Sequence, residues 1–171
     1  MILTLGHSTR PIEAFLSLLG AHHVAVLGDV RTVPRSRHNP QFDQAALAAS
    51  LSSAGIEYRH MPALGGLRKP RPDSVNTAWK NASFRGYADY MQTPGFEQAL
   101  ESLIALAADR VVAIMCAEAV PWRCHRSLIA DALLARGLAP REIVSEKSTR
   151  AHKLTAWARV EHGRVMYPGV I

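Results

Sequence analysis

Residues 111–115, Val-Val-Ala-Ile-Met, constrain the fold of this chain more than any other stretch. The run is too short for a helix and rich in β-branched side chains, so it predicts a strand buried on both faces. Such strands belong to parallel sheets with helices packed on each side. Further on, Leu128, Ile129 and Leu133 recur at helical spacing until Gly137 stops the pattern. Between strand and helix lie both cysteines, Cys116 and Cys124, with Glu118, Trp122, Arg123, His125 and Arg126. Junctions of this kind are where open α/β sheets bind ligands, because strand ends meet helix N-termini there.

The rest of the chain repeats that alternation. Ile2–Leu5 reads as a strand, followed by Gly6-His7-Ser8-Thr9-Arg10-Pro11 and a helix marked by Ile12, Phe15, Leu16 and Leu19. Ser8 or Thr9 is the expected cap of that helix, and Pro11 suits its first turn. Val24–Val30 predicts a second strand that runs into a basic, proline-punctuated loop from Arg31 to Pro40. Asp43 is placed to cap a helix through Ser53, with Phe42 and Leu47 as its hydrophobic staple and Gly55 as its stop. Ile56–Met61 alternates as a half-exposed third strand.

Residues 62–84 are irregular and carry Arg68, Lys69 and Arg71. A connection of this length suits a binding loop or a lid. A helical turn at Tyr87–Met91 and a helix opened by Thr93-Pro94 come next. After the central stretch, Ile143-Val144 is a short fifth strand. Lys153–Glu161 and Arg164–Tyr167 suggest a hairpin turning at His162-Gly163.

Four strand–helix repeats, a fifth strand and a hairpin predict a three-layer α/β/α fold. Its sheet is mostly parallel, with about five strands. The expected organisation is one α/β domain over 1–171, with a core at 1–146 and a hairpin extension at 147–171. Right-handed crossovers bring the loops that follow the parallel strands to one edge. That edge would collect His7, Ser8 and Arg10; Asp29, Arg31, Arg35 and Arg37; and Cys116, Glu118, Arg123, Cys124, His125 and Arg126.

At 48% hydrophobic and 20% charged, the 171-residue chain matches an ordinary globule and excludes a disordered or fibrous one. No stretch approaches the ~18 apolar residues of a membrane span. The N-terminus lacks the basic, then apolar, signature of a secretion signal. Two cysteines make no disulfide framework, so a reduced, cytoplasmic protein is the expectation. Twenty Lys and Arg against fourteen Asp and Glu, with pI near 9.8, favour anionic partners. Nothing in the sequence sets an oligomeric state.

Arg31, Arg35, Arg37, Arg123 and Arg126, with Ser8, Arg10, Cys124 and His125, are candidates for holding an anion, since guanidinium forks match phosphate. The alternative reading is a solvated basic surface. Cys116, at the end of a buried strand, is either an inert small hydrophobe or a thiolate activated by arginine and a helix N-terminus. Its spacing to Arg123 is C-x6-R with an acid inside. That differs from the C-x5-R loop of cysteine phosphatases and argues against phosphatase chemistry.

Glu118 is the candidate acid/base and Asp29 the second, both reading alternatively as ion-pair partners. His7 is a candidate to orient or protonate substrate. Ser8 reads as a cap before a nucleophile, and Trp122 as folded onto the core before a stacking platform. No cofactor is expected. Cys116, Cys124 and His125 make zinc the minor alternative, but C-x7-C-H is not a standard zinc spacing, and the cysteines are not a C-x-x-C redox pair.

Several segments together resemble a known family. They are Thr4-Leu-Gly-His-Ser-Thr-Arg10, Asp29-Val-Arg31, Pro34-Arg-Ser-Arg37, Pro40, Leu64-Gly-Gly66, Phe84-Arg-Gly-Tyr-Ala-Asp-Tyr-Met91, Met115-Cys-Ala-Glu118 and Cys124-His-Arg126. The chain is similar to the bacterial family catalogued as "domain of unknown function 488". The resemblance implies a compact α/β domain and supplies no activity. The expectation is therefore an enzyme, a hydrolase or glycosyl-type transferase, acting on a nucleotide or nucleic acid or another phosphate-bearing molecule. The alternatives are a non-catalytic nucleic-acid-binding module and a zinc or thiol-redox protein.

Overall fold

The structure is a computed structural model and describes residues 1–169. Five strands are parallel: β1 (Ile2–Gly6), β2 (Val26–Asp29), β3 (Glu57–His60), β4 (Val112–Cys116) and β5 (Arg141–Ser145). A sixth, β6 (Ser148–Ala151), joins β5 antiparallel, and the sheet order is β3-β2-β4-β1-β5-β6. The helices are α1 (Ile12–Ala21), α2 (Gln44–Ser53), α3 (Ala82–Tyr90), α4 (Pro94–Leu106) and α5 (Arg126–Ala135). Two short strands, β7 (Arg159–Glu161) and β8 (Arg164–Met166), form a C-terminal hairpin. Among the described residues, no helix is long and apolar enough to cross a membrane.

The central strands are buried along their whole length, and alternate side chains feed two separate cores. Leu3, Leu5, Leu27, Ala113 and Met115 pack with Phe15 and Leu19 of α1 and Leu47 and Leu51 of α2. Ile2, Val26, Val112, Ile114 and Cys116 pack on the other side with Leu100 of α4 and Leu128 and Leu133 of α5. Two helical layers therefore sandwich one mostly parallel sheet. The connection leaving β1 goes to one face and the connection leaving β4 to the other. Because β1 and β4 are neighbours, their carboxyl ends frame a topological switch point.

Local structure departs from expectation in several places. Ser8 and Thr9 do not cap α1: its N-cap position is Pro11, with no side-chain cap. Ser8 instead takes a left-handed conformation, φ 50°, and its amide donates to the Ala117 carbonyl at 3.0 Å. Asp43 stands at the N-cap of α2, but its carboxylate accepts from the Ser36 amide at 2.7 Å, bracing the basic loop rather than the helix. The turn expected at Tyr87–Met91 is a full helix, capped by Asn81 accepting from Ser83 and Phe84 amides. Strand β6 was not expected. It lies in the stretch read as an extension and lengthens the main sheet.

The 62–84 connection is held by buried Asp89 of α3. That carboxylate accepts from the Arg71 backbone amide at 2.8 Å, the Ser74 hydroxyl at 2.6 Å and the Asn76 side-chain amide at 2.8 Å. Arg68 lies over the Tyr90 ring at 3.7 Å. Asp131 of α5 anchors the C-terminal segment in the same way, accepting from His152 at 2.8 Å, the Thr155 amide at 3.1 Å and the Tyr167 hydroxyl at 2.7 Å. The hairpin turns at His162-Gly163 as expected, both with positive φ, but only Arg159–Glu161 of the long predicted strand is extended.

Candidate functional site

The ends of β1 and β4 lie side by side, with Gly6 opposite Cys116. Pairing continues past the strands: the His7 amide donates to the Cys116 carbonyl at 2.9 Å, alongside the Ser8–Ala117 bond. The loop after Cys116 then folds back over β1. A Cβ on Gly6 would run into the Glu118 carbonyl, so glycine is required there. Arg10 donates to the Gly6 carbonyl and fastens the turn.

Side-chain alternation splits the expected site across the sheet. On the α5 face stand Cys116, Cys124, His125 and Arg126. The Arg126 guanidinium is 1% exposed and donates through Nη1 to Cys116 Sγ at 2.8 Å and to the Glu118 carbonyl at 2.8 Å. Cys124 Sγ lies 2.8 Å from Cys116 Sγ, with its S–H directed to that sulfur. Burial pushes the Cys116 thiol up, but the Cys124 thiol and the Arg126 charge outweigh it and bring the pKa to about 7. Cys124 moves the other way, raised by its contact with Cys116 and by burial. One thiolate, held at Cys116, is the arrangement this geometry favours.

His125 completes this cluster. Its Nε2 is 3.1 Å from the Val30 carbonyl, which only accepts, so Nε2 carries the proton. The bare Nδ1 then faces Cys124 Sγ at 3.6 Å. Burial holds the His125 pKa down to about 4, with the Arg126 charge adding to it, so the ring is neutral at physiological pH. Tyr87 packs against it at 4.9 Å between ring centroids.

On the α1–α2 face stand His7, Asp29 and Arg31. The Asp29 carboxylate is fully used. Oδ1 accepts from the Arg31 amide at 3.1 Å and Nε at 2.9 Å, and Oδ2 from Arg31 Nη2 at 2.7 Å and the Tyr58 hydroxyl at 2.7 Å. Its candidacy as an acid/base gives way to the ion-pair reading, because no lone pair is left facing a substrate. Arg31 spends Nε and Nη2 on that carboxylate, its buried Nη1 has no partner, and it stands on the opposite face from Arg126. Burial pushes the Tyr58 hydroxyl up, and its bond to Asp29 adds to that.

His7 stacks on Phe42 at 4.2 Å and donates through Nδ1 to its neighbour's carbonyl, Ser8 O, at 2.7 Å. Burial lowers its pKa, so in the neutral ring the unpartnered, buried Nε2 is a lone pair. In that state Nε2 can accept a hydrogen bond, which suits the expectation that His7 orients a substrate better than that it protonates one.

The remaining candidates stand apart. Glu118 is exposed, its carboxylate taking only a 3.4 Å bond from the Val120 amide, and the loop contributes to the buried cluster through its backbone carbonyl instead. Arg35, Arg37 and Arg123 are exposed, and Ser8 and Arg10 half-buried. The expected single pocket of five arginines is not assembled. No group of three or more His, Cys, Asp or Glu side chains among the described residues is arranged to hold a metal ion. Tyr58, the second residue bonded to the Asp29 carboxylate, was not among the expected site residues. A tyrosine on the strand beside Asp29 was the available signal, but only strand pairing puts them together.

A family model described as "Domain of unknown function DUF488" matches residues 11–133, most of the chain. The chain belongs to that family. No curated protein and no solved structure matches it. The DUF488 match spans the Asp29–Arg31 pair and the whole Cys116–Arg126 loop, and stops before the C-terminal segment tied to Asp131.

Proposed function

We propose that the chain is an enzyme that works through a thiolate at Cys116 on a phosphate-bearing substrate, as a hydrolase or group-transfer catalyst. One observation carries the reading: Cys116 Sγ stands 2.8 Å from both the buried Arg126 guanidinium and the Cys124 thiol. A buried arginine with a sulfur for its anionic partner has little structural purpose, because a carboxylate would fill the same place with stronger bonds.

In the first step sulfur attacks the electrophilic centre, the leaving group departs with the bonding pair, and the Cys124 S–H supplies its proton. Bonding of Cys116 removes the neighbouring charge that holds Cys124 protonated, so Cys124 becomes the better acid as it is needed. In the second step water attacks the same centre, the sulfur leaves with its electron pair, and the proton of water returns to Cys124. Arg126 is the counter-charge throughout.

The test is a thiolate titration by absorbance at 240 nm, comparing the protein with Cys116→Ser. Loss on substitution of a thiol that titrates near pH 7 is expected. A protein in which no thiol ionises below the usual ~8.5 sinks the proposal.

The closeness of the two sulfurs favours a second reading, a peroxide-reducing dithiol. There the Cys116 thiolate attacks a peroxide oxygen, the O–O bond breaks to give a sulfenic acid and an alkoxide or hydroxide, and Cys124 displaces water to form a disulfide. Peroxide treatment that removes both free thiols as one intramolecular disulfide supports it. Sulfinic acid at Cys116 with Cys124 still free argues against it.

A further inference from the structure

We infer that a groove beside α5 binds a nucleoside monophosphate, its base against tryptophan and its phosphate toward Arg126, Arg150 and Lys153. The inference deepens the thiolate reading, because Arg126 belongs to both places. It lines this groove and it donates to Cys116.

The groove holds about 490 Å³ and is bounded by Thr4 of β1, the start of α5, the end of β6 and the segment after it. That volume is within the usual range for small-molecule sites. The three tryptophans of the chain, Trp79, Trp122 and Trp157, all line it. Trp122 is 67% and Trp157 48% exposed, an unusual state for indoles without a partner. Trp79 supports Trp157 edge-on at 5.0 Å between ring centroids. The packing leaves the outer Trp157 indole open to a planar ring, and base–indole stacking tolerates any base.

Polar atoms of the lining point to a ligand as well. Arg126 Nε and Trp79 Nε1 are buried donors with no hydrogen-bond partner. Buried donors are nearly always paired in native proteins, and these two belong to residues that line the groove. Arg150 and Lys153 add positive charge at the rim. Glu142 opposes it and bonds Arg150 at 2.9 Å, while His152 is already held by Asp131. The surplus is cationic. An apolar ligand would leave those cations unmatched, and a bare phosphate would leave the indoles unused.

The experiment is isothermal titration of the full chain with the four common nucleoside monophosphates, adenosine and inorganic phosphate. Saturable binding of at least one nucleotide is expected, with adenosine and phosphate much weaker. Trp157→Ala should weaken it by about fivefold to a hundredfold. Lys153→Glu should weaken it too, and both are exposed positions where the fold tolerates change.

The inference falls if none of the nucleotides gives saturable heat at millimolar concentration. It also falls if Trp157→Ala binds unchanged, or if phosphate alone binds as tightly as the nucleotides. Binding without a low-pKa thiol would remove the thiolate reading and leave the groove. A thiol titrating near pH 7 with no nucleotide bound would remove the groove and leave the thiolate.

Discussion

The molecule holds two buried arginines at one edge of its sheet, and they are used differently. Arg31 meets Asp29 through two parallel bonds, its own amide and the Tyr58 hydroxyl fill the rest of the carboxylate, and its Nη1 has no partner. Arg126 meets a thiol and two loop carbonyls, and its Nε has no partner. The first is what a sheet uses to close an edge: both charges lie out of water and nearly every lone pair is taken. The second sets its charge against a nucleophilic sulfur, the pattern of a site and not of a strut. The partner, a filled carboxylate in one case and a thiol in the other, separates them.

The sharpest way to break this contrast is Asp29→Ala, which strands the Arg31 charge. It should cost about 3–5 kcal/mol in denaturant unfolding while Cys116 still titrates near 7. A shifted thiol would mean that the two faces act as one unit. Arg126→Leu should do the reverse to the chemistry. The Cys116 pKa should climb toward the ordinary ~8.5, with alkylation at neutral pH slowed about tenfold. Tyr58→Phe removes one bond to a charged group and should cost about 1.5–3 kcal/mol, with no effect on the thiols.

Acid separates the faces by a different route. His125 has its pKa lowered to about 4. Its share of stability is therefore whole above the unfolded value of ~6.5 and drains away as pH falls toward 4. Cys116 is also lowered, so its share grows as pH rises from 7 to 9. In a pH series of melting temperatures, His125→Gln should flatten the acid limb, and Cys116→Ser the alkaline rise. The smallest effect expected is that of Glu118→Gln: no measurable change in melting or in the thiol titration. A lost activity with an intact thiolate would restore Glu118 as the acid/base.

Much of the fold was readable along the chain. The mainly apolar runs at 2–5, 24–30 and 111–115 became the three adjacent central strands, because a strand buried on both faces favours apolar side chains along its length. The His162-Gly163 turn was readable for a local reason, its need for positive φ. Strand β6 was not, because Ser148–Ala151 is an exposed edge with no apolar face to show. Helix α3 was shortened in the reading because its buried side includes Asp89, which packs inside as the anchor of a loop. Of the site, the loop from Cys116 to Arg126 was legible as the centre. Asp29 and His7 were assigned to the same place because each follows a neighbouring strand.

By itself the sequence determined an alternating strand–helix order, and so a parallel sheet with its loops gathered at one edge. It also determined which short loop holds both cysteines and a buried-strand terminus. Only the tertiary structure decided that the edge has two sides. Successive side chains on a strand point to opposite faces, and which face His7 shares with Asp29, and Cys116 with Arg126, depends on register between strands far apart in the chain. That pairing turned one expected anion pocket into a carboxylate–arginine pair on one face and a thiol–arginine cluster on the other.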